Sequence, residues 1–200
     1  MSALPDGVTL DYMREYIIAA HFNLEKVKEV LAAHPELLNL GYEWSPGDVE
    51  DALAAASHVG NTAIATYVMM QGAPLTPCAA AMLGYTERLR EFIIGNPAVA
   101  TAKGAHGIPI LFHAAYSGQT EVADLLVANG GGEGAAFAMH AAISAGQLTM
   151  LRWLLDHGGA ADINILNYEK KTPLAKAIEA GREDLADLLR EAGGLEVVEL

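Results

Sequence analysis

The sequence predicts an all-α chain, an α-solenoid of stacked helix–turn–helix units. Three observations carry that expectation: a glycine recurs behind small residues, an apolar pair follows it at fixed spacing, and a second glycine, at Gly72, Gly130, Gly158 and Gly193, closes four of the six units. The stretch KKTPLAKAIEAGREDLADLLREAGG, Lys170 to Gly194, holds one complete copy.

Taking Gly181 of AIEAG as the marker, its counterparts upstream are Gly146, Gly118, Gly84 and Gly60, with Asn23 in the first copy. Small residues precede the markers, as at Ala19–Ala20, Ala55–Ala56, Ala80–Ala81, Ala114–Ala115 and Ala141–Ala142. Apolar residues follow four positions later, at Val27, Ile64, Val122, Met150 and Leu185. Seven and eight positions on come Val30–Leu31, Tyr67–Val68, Leu125–Leu126, Trp153–Leu154 and Leu188–Leu189. Spacings of three and four place these residues on one helical face. The marker glycine suits a left-handed residue ending the first helix, with Asn23 as its substitute. A helix pair this short cannot bury both faces alone, so copies must stack in a row.

Taken in order, the units fall at roughly 10–40, 45–73, 76–97, 107–131, 136–160 and 170–194, with 195–200 as a tail. The first lacks a Thr-Pro start and reads as an N-terminal cap. In the second, Ser45-Pro46-Gly47-Asp48 reads as a helix start, with Asp48 as its acidic capping residue. In the third, the apolar face falls one residue late, at Leu89, Phe92 and Ile93. Pro35 and Pro97 follow the second helices of the first and third units. In the sixth, Thr172 is an N-cap and Pro173 occupies the first helical position, where its missing N–H costs nothing. The tail LEVVEL alternates acidic and apolar residues and reads as a short strand or docking arm.

Thr172-Pro173-Leu174, Ala177, Gly181, Leu188-Leu189 and Gly193 resemble the ankyrin repeat, which opens each unit with Thr-Pro-Leu-His. The resemblance spans nearly all of 10–194 and is most specific in the last three units. His140 stands at the family's histidine position, whereas Phe112 and Ala175 take that place in their own units. Marker spacings of 37, 24, 34, 28 and 35 depart from the family's period of about 33. The resemblance therefore implies β-hairpin fingers near Tyr42–Gly47, at Lys103–Pro109 and at Ile163–Pro173. The third and fifth units should lack them or turn tightly.

Twelve Lys and Arg against 25 Asp and Glu give a formal charge of −13, a poor balance for nucleic acid, which needs cations against its phosphates. No basic residue occurs between Lys28 and Arg88, so Glu36, Glu43, Asp48, Glu50 and Asp51 read first as solvated surface and second as a patch for a basic partner. The single cysteine, Cys78, permits no internal disulfide or thiolate cage and reads as a small buried hydrophobe. The opening residues lack a secretory signal, and no window is long and apolar enough for a membrane helix. A soluble protein of the reducing cytoplasm is expected, without membrane contact.

By the resemblance, a concave groove should form from the residues just before each marker and from the finger tips. These are His21, Phe22, His58, Val59, Met82, Leu83, Tyr116 and Ser117, with Trp44, His106, Ile108, Tyr168 and Glu169 on the fingers. Seven histidines raise the question of a metal. Equivalent positions of stacked helices stand about 10 Å apart. On that spacing His21 and His58 should not share an ion, and neither metal nor cofactor is expected. His140 should bond nearby backbone, and Trp153 should pack in the core. No nucleophile elbow or phosphate loop occurs, so no catalytic residue is assigned. The expected role is a non-enzymatic module binding a protein or peptide. A self-associating unit or regulatory subunit of an enzyme is the alternative, and a metal-dependent enzyme ranks last.

Overall fold

The structure, a computed structural model, describes residues 4–197. Twelve helices form six antiparallel pairs: α1 Leu10–Phe22 with α2 Leu24–Ala33, α3 Ala52–His58 with α4 Thr62–Met70, α5 Pro77–Met82 with α6 Thr86–Gly95, α7 Ile110–Ser117 with α8 Thr120–Ala128, α9 Ala135–Ala145 with α10 Leu148–Asp156, and α11 Pro173–Glu179 with α12 Glu183–Glu191. The odd-numbered helices pack in one row and the even-numbered helices in a second behind them. The architecture is therefore an all-α repeat solenoid with short hairpins.

Alanines make the inner row possible. Ala20, Ala55, Ala56, Ala80, Ala81, Ala114, Ala115, Ala141 and Ala142 are all fully buried where neighbouring first helices meet. Side chains this small let the backbones approach while keeping the interior close-packed. The apolar pairs behind them seal the two rows together, with Ile64, Leu89, Leu126, Leu154 and Leu189 buried.

Gly60, Gly84, Gly118, Gly146 and Gly181 all adopt left-handed backbone, with φ between 65° and 73°. Asn23 does not. Its φ is −123°, and its side chain instead caps α2 by accepting from the Lys26 N–H at 3.0 Å. The residue after a marker locks successive pairs together. Asn61 donates to the His21 carbonyl at 3.0 Å, Gln147 to Tyr116 at 3.2 Å and Arg182 to Gly146 at 3.0 Å.

Ser45–Asp48 does not start a helix. Pro46 and Gly47 form the turn between β1, Tyr42–Ser45, and β2, Asp48–Glu50, which pair antiparallel with Tyr42 opposite Glu50. The N-cap of α3 is Asp51, whose side chain accepts from the Ala54 N–H at 2.8 Å. A second finger closes at the Lys103–Pro109 bridge. Before α11 the chain makes a tight turn, in which the Lys171 carbonyl accepts from the Asn167 N–H at 3.0 Å. Only short turns link α4 to α5 and α8 to α9.

Two further expectations change in detail. Trp153 is half-buried on the outer row, where its indole N–H donates to Asp124 Oδ1 at 2.8 Å and its ring stacks on His157. An indole needs an acceptor, and Asp124 supplies one at the edge of the core. His140 bonds backbone far along the chain, its Nε2 lying 2.9 Å from the Ile165 carbonyl. Of the tail, Leu195 is tied down by its N–H to Asn164 Oδ1 and by its carbonyl to the Thr172 hydroxyl. Residues 198–200 of the expected arm lie outside the described residues.

Candidate functional site: a groove with a histidine–carboxylate cluster

The first finger brings Asp48 and Glu50 to the end of the inner row, because alternate residues of a strand share a face. Glu50 is fully buried. Its Oε2 accepts from the Trp44 indole N–H at 2.8 Å. His58 Nδ1 lies 3.0 Å from Oε1, His106 Nε2 3.5 Å from Oε1 and His21 Nε2 3.7 Å from Oε2. The rings of His21 and His58 are 4.8 Å apart between centroids, and those of His58 and His106 5.2 Å.

This corrects the spacing argument against a shared ion. Helix axes separated by a packing distance still allow their last-turn side chains to lean together, and His21 and His58 do so over Glu50. The expectation that Glu50 belongs to solvated surface is likewise overturned.

His106 comes from the second finger. Its backbone is left-handed, at φ 58°, which aims both its N–H and its Nδ1 at Asp48, at 2.8 Å each. The third unit has no finger, so the second and fourth units' fingers meet across the gap. A cleft of about 810 Å³ remains between them, with Cys78 among its lining residues. Burial pushes the Cys78 thiol up to about 12, which keeps it a protonated, unreactive group.

The cluster has a consistent electrostatic balance. Burial pushes the Glu50 carboxyl up, but the proximity of His58 and His21 and the Trp44 N–H outweigh it and hold the group below its ordinary value. Burial lowers His21, against the pull of Glu50. The hydrogen bonds from His106 lower Asp48.

From this cluster a groove of about 970 Å³ runs along the inner row to the loop before α11. Phe112 and Phe137 stack at 5.0 Å in its floor, and Tyr116 meets Phe112 edge-on at 5.6 Å. Among the residues expected in the groove, His21, Phe22, His58, Val59, Tyr116, His106, Ile108 and Tyr168 line it. Phe22 and Tyr168 are 72% and 86% exposed.

Met82 does not face the groove. It ends the six-residue α5 and is 1% exposed in the core. Leu83, half-buried, packs against the same core, and Ser117 returns its hydroxyl to the Ala114 carbonyl. Trp44 serves the Glu50 carboxylate, with the Arg14 guanidinium 5.9 Å above its ring. Glu169 pairs with Lys171 at 3.3 Å. Glu50, Phe137, His140 and Lys176 were not expected at this site. Phe137 and His140 occupy the inward face of α9, one helical turn apart and one turn before Ser144, a spacing the sequence displays.

Residues 111–198 match the family model of ankyrin repeats (3 copies). A crystal structure of an ankyrin repeat domain from Acinetobacter baumannii AYE is similar to the chain, with 22% identity over 90% of this chain and 98% of that one, and a TM-score of 0.49. No curated protein sequence matches. The Thr-Pro-Leu opening, the left-handed marker glycines Gly118, Gly146 and Gly181 and the paired helices of the C-terminal units lie within the matched stretch, so residues 111–198 are ankyrin repeats.

Proposed function

We propose that the chain is a non-enzymatic binding module of the cytoplasm that holds a protein or peptide segment in its concave groove. Ankyrin repeats are in general protein–protein interaction modules. The observation that carries the reading for this chain is the open groove of about 970 Å³. Stacked aromatic rings lie in its floor, and Phe22, Val59 and Tyr168 stand exposed at its margins. Exposed aromatic and aliphatic side chains beside a concave surface supply the desolvated anchors on which protein recognition depends. Lys176 and Glu133 give the same surface charges of both signs with which to fix the direction of a bound segment.

The test is cross-linking in the native cell, followed by mass spectrometry, of the parent chain and of a triple variant, Phe22→Ser, Val59→Ser and Tyr168→Ser. All three residues are exposed, so the variant retains its fold, checked by circular dichroism. The cross-linked partner is expected to disappear. A partner captured equally well by the triple variant would place recognition on another face.

A further inference from the structure

We propose that His21, Glu50, His58 and His106 form a binding site for a divalent transition metal, with zinc the ion their donor set fits. This goes beyond groove binding and does not depend on it.

The geometry is the first support. One donor atom from each of His21, Glu50 and His58 lies within 4.8 Å of the others, and His106, outside that group, brings its Nε2 to 3.5 Å from Glu50 Oε1 as the fourth ligand. A tetrahedral zinc with bonds of about 2.0–2.2 Å holds its ligand atoms roughly 3.3 Å apart. His58 Nδ1 and His106 Nε2 stand 3.0 and 3.5 Å from Glu50 Oε1, either side of that value, and His21 Nε2 stands 3.7 Å from the other carboxylate oxygen.

The second support is a pair of buried polar atoms left without a hydrogen bond. Glu50 Oε1 and His58 Nδ1 are both buried, and neither has an aligned hydrogen-bond partner. They face each other at 3.0 Å without forming a directed bond. An unsatisfied buried carboxylate oxygen is costly, and no Lys or Arg pairs with Glu50 among the described residues. A dication between the two atoms would satisfy both.

The third support is the outer shell. Ligating imidazoles ordinarily give their other ring nitrogen to a carbonyl or carboxylate, which fixes tautomer and orientation. His21 Nδ1 lies 2.9 Å from the Ile17 carbonyl and His106 Nδ1 2.8 Å from Asp48, leaving each Nε2 turned to the cluster. Trp44 holds Glu50 Oε2, leaving Oε1 for the ion. Three imidazoles and one carboxylate suit zinc and its transition-metal neighbours, whereas calcium and magnesium demand oxygen-rich shells. His106 is about one-third exposed and opens the site to the groove, so an ion can enter.

The experiment uses the full chain stripped with a chelator and titrated calorimetrically with Zn²⁺, then with Mg²⁺ as control. One Zn²⁺ per chain is expected, with Mg²⁺ giving no heat at the same concentrations. His58→Ala and His21→Ala should each weaken zinc binding by about 100-fold or more. Asp48→Asn, which removes the carboxylate behind His106, should weaken it about 10- to 100-fold. Co²⁺ substituted for zinc should give visible absorption bands that vanish in His58→Ala. Circular dichroism of each metal-free variant shows that it is folded. Glu50→Gln joins the series only if it folds, since the parent and the histidine variants decide the question without it. A parent that takes up no Zn²⁺ would overturn the proposal. So would histidine variants binding as tightly as the parent, which would assign the ion to surface histidines such as His34 or His157.

Discussion

At the scale of single residues, the GlyGlyGly run at 130–132 shows how unequal neighbouring positions can be. A Cβ on Gly131 would run into the Ala100 carbonyl oxygen, which is backbone and cannot yield. A Cβ on Gly132 would meet only Val127 Cγ2, at 3.9 Å. Gly131→Ala is expected to lose about 1–3 kcal/mol by overpacking, and Gly132→Ala to stay within about 0.5 kcal/mol, in urea denaturation. His140 gives a second outcome at this scale. Burial, with help from the charge of Lys176, lowers it to about 4, against an ordinary value of 6.5. The neutral ring is the form that fits, so its contribution is whole above pH 6.5. As pH falls from 6.5 toward 4, the unfolded chain binds the proton first and stability drains away, by roughly 3 kcal/mol at most. Buried His113, also held at about 4, carries the same sign. Stability measured between pH 7 and pH 4 should therefore fall less steeply in His140→Gln than in the parent. An unchanged slope would contradict the assignment. None of this was legible in the residue string. Glu50 shows why, since nothing in EWSPGDVED separates a carboxylate sealed under two histidines from its solvated neighbours. Their convergence depends on a finger and two helix ends from three places in the chain.

At the scale of elements, the string was more informative, because helix ends obey local rules. The marker glycines needed only the preference of glycine for left-handed backbone, and all five adopt it. Asn23 escaped that rule because capping α2 offered its side chain a hydrogen bond instead. Ser-Pro-Gly-Asp fits a hairpin turn as well as a helix start, and pairing between Tyr42 and Glu50 decided between them. Two threonines before prolines then separate a cap from a staple. Thr76 accepts from the Ala79 N–H at 3.2 Å. Thr172 accepts from the Ala175 N–H at 3.1 Å and also donates to the Leu195 carbonyl at 2.6 Å, tying the tail to α11. Thr76→Ala should cost about 1 kcal/mol, the usual loss of an N-cap. Thr172→Ala should cost about 1 kcal/mol more, because a buried hydrogen bond goes with the cap. Thermal denaturation of the two variants compares them directly, and equal losses would mean that the tail contact contributes nothing.

At the scale of the whole molecule, the solenoid has a seam at its third unit. The buried side chains divide there into two clusters, with Ala79 and Met82 of α5 on one side and Ala80 and Ala81 on the other. The outer row is interrupted at the same place, since α2 packs on α4 and α6 on α8, while α4 and α6 meet only marginally. The interlocking side chain also fails, because Tyr85 stands 43% exposed where Asn61, Gln147 and Arg182 reach back to the preceding unit. A repeat array is as cooperative as its weakest interface. The inner row continues across this one, α3 on α5, and two further features span it. Tyr116 lies over Gly60, and Asp48 of one finger grips His106 of the next, made possible by the finger the third unit lacks. The fingers thus act as an external clasp on halves whose fully buried cores join only through the partly buried Leu75 and Tyr116. Hydrogen exchange read by mass spectrometry in rising denaturant should reveal two midpoints, the smaller N-terminal core opening first. His106→Ala should lower the N-terminal midpoint and leave the C-terminal one in place, because the clasp constrains the weaker half. If peptides from 10–70 and 110–190 exchange at one common midpoint in both proteins, the seam does not exist as a mechanical boundary.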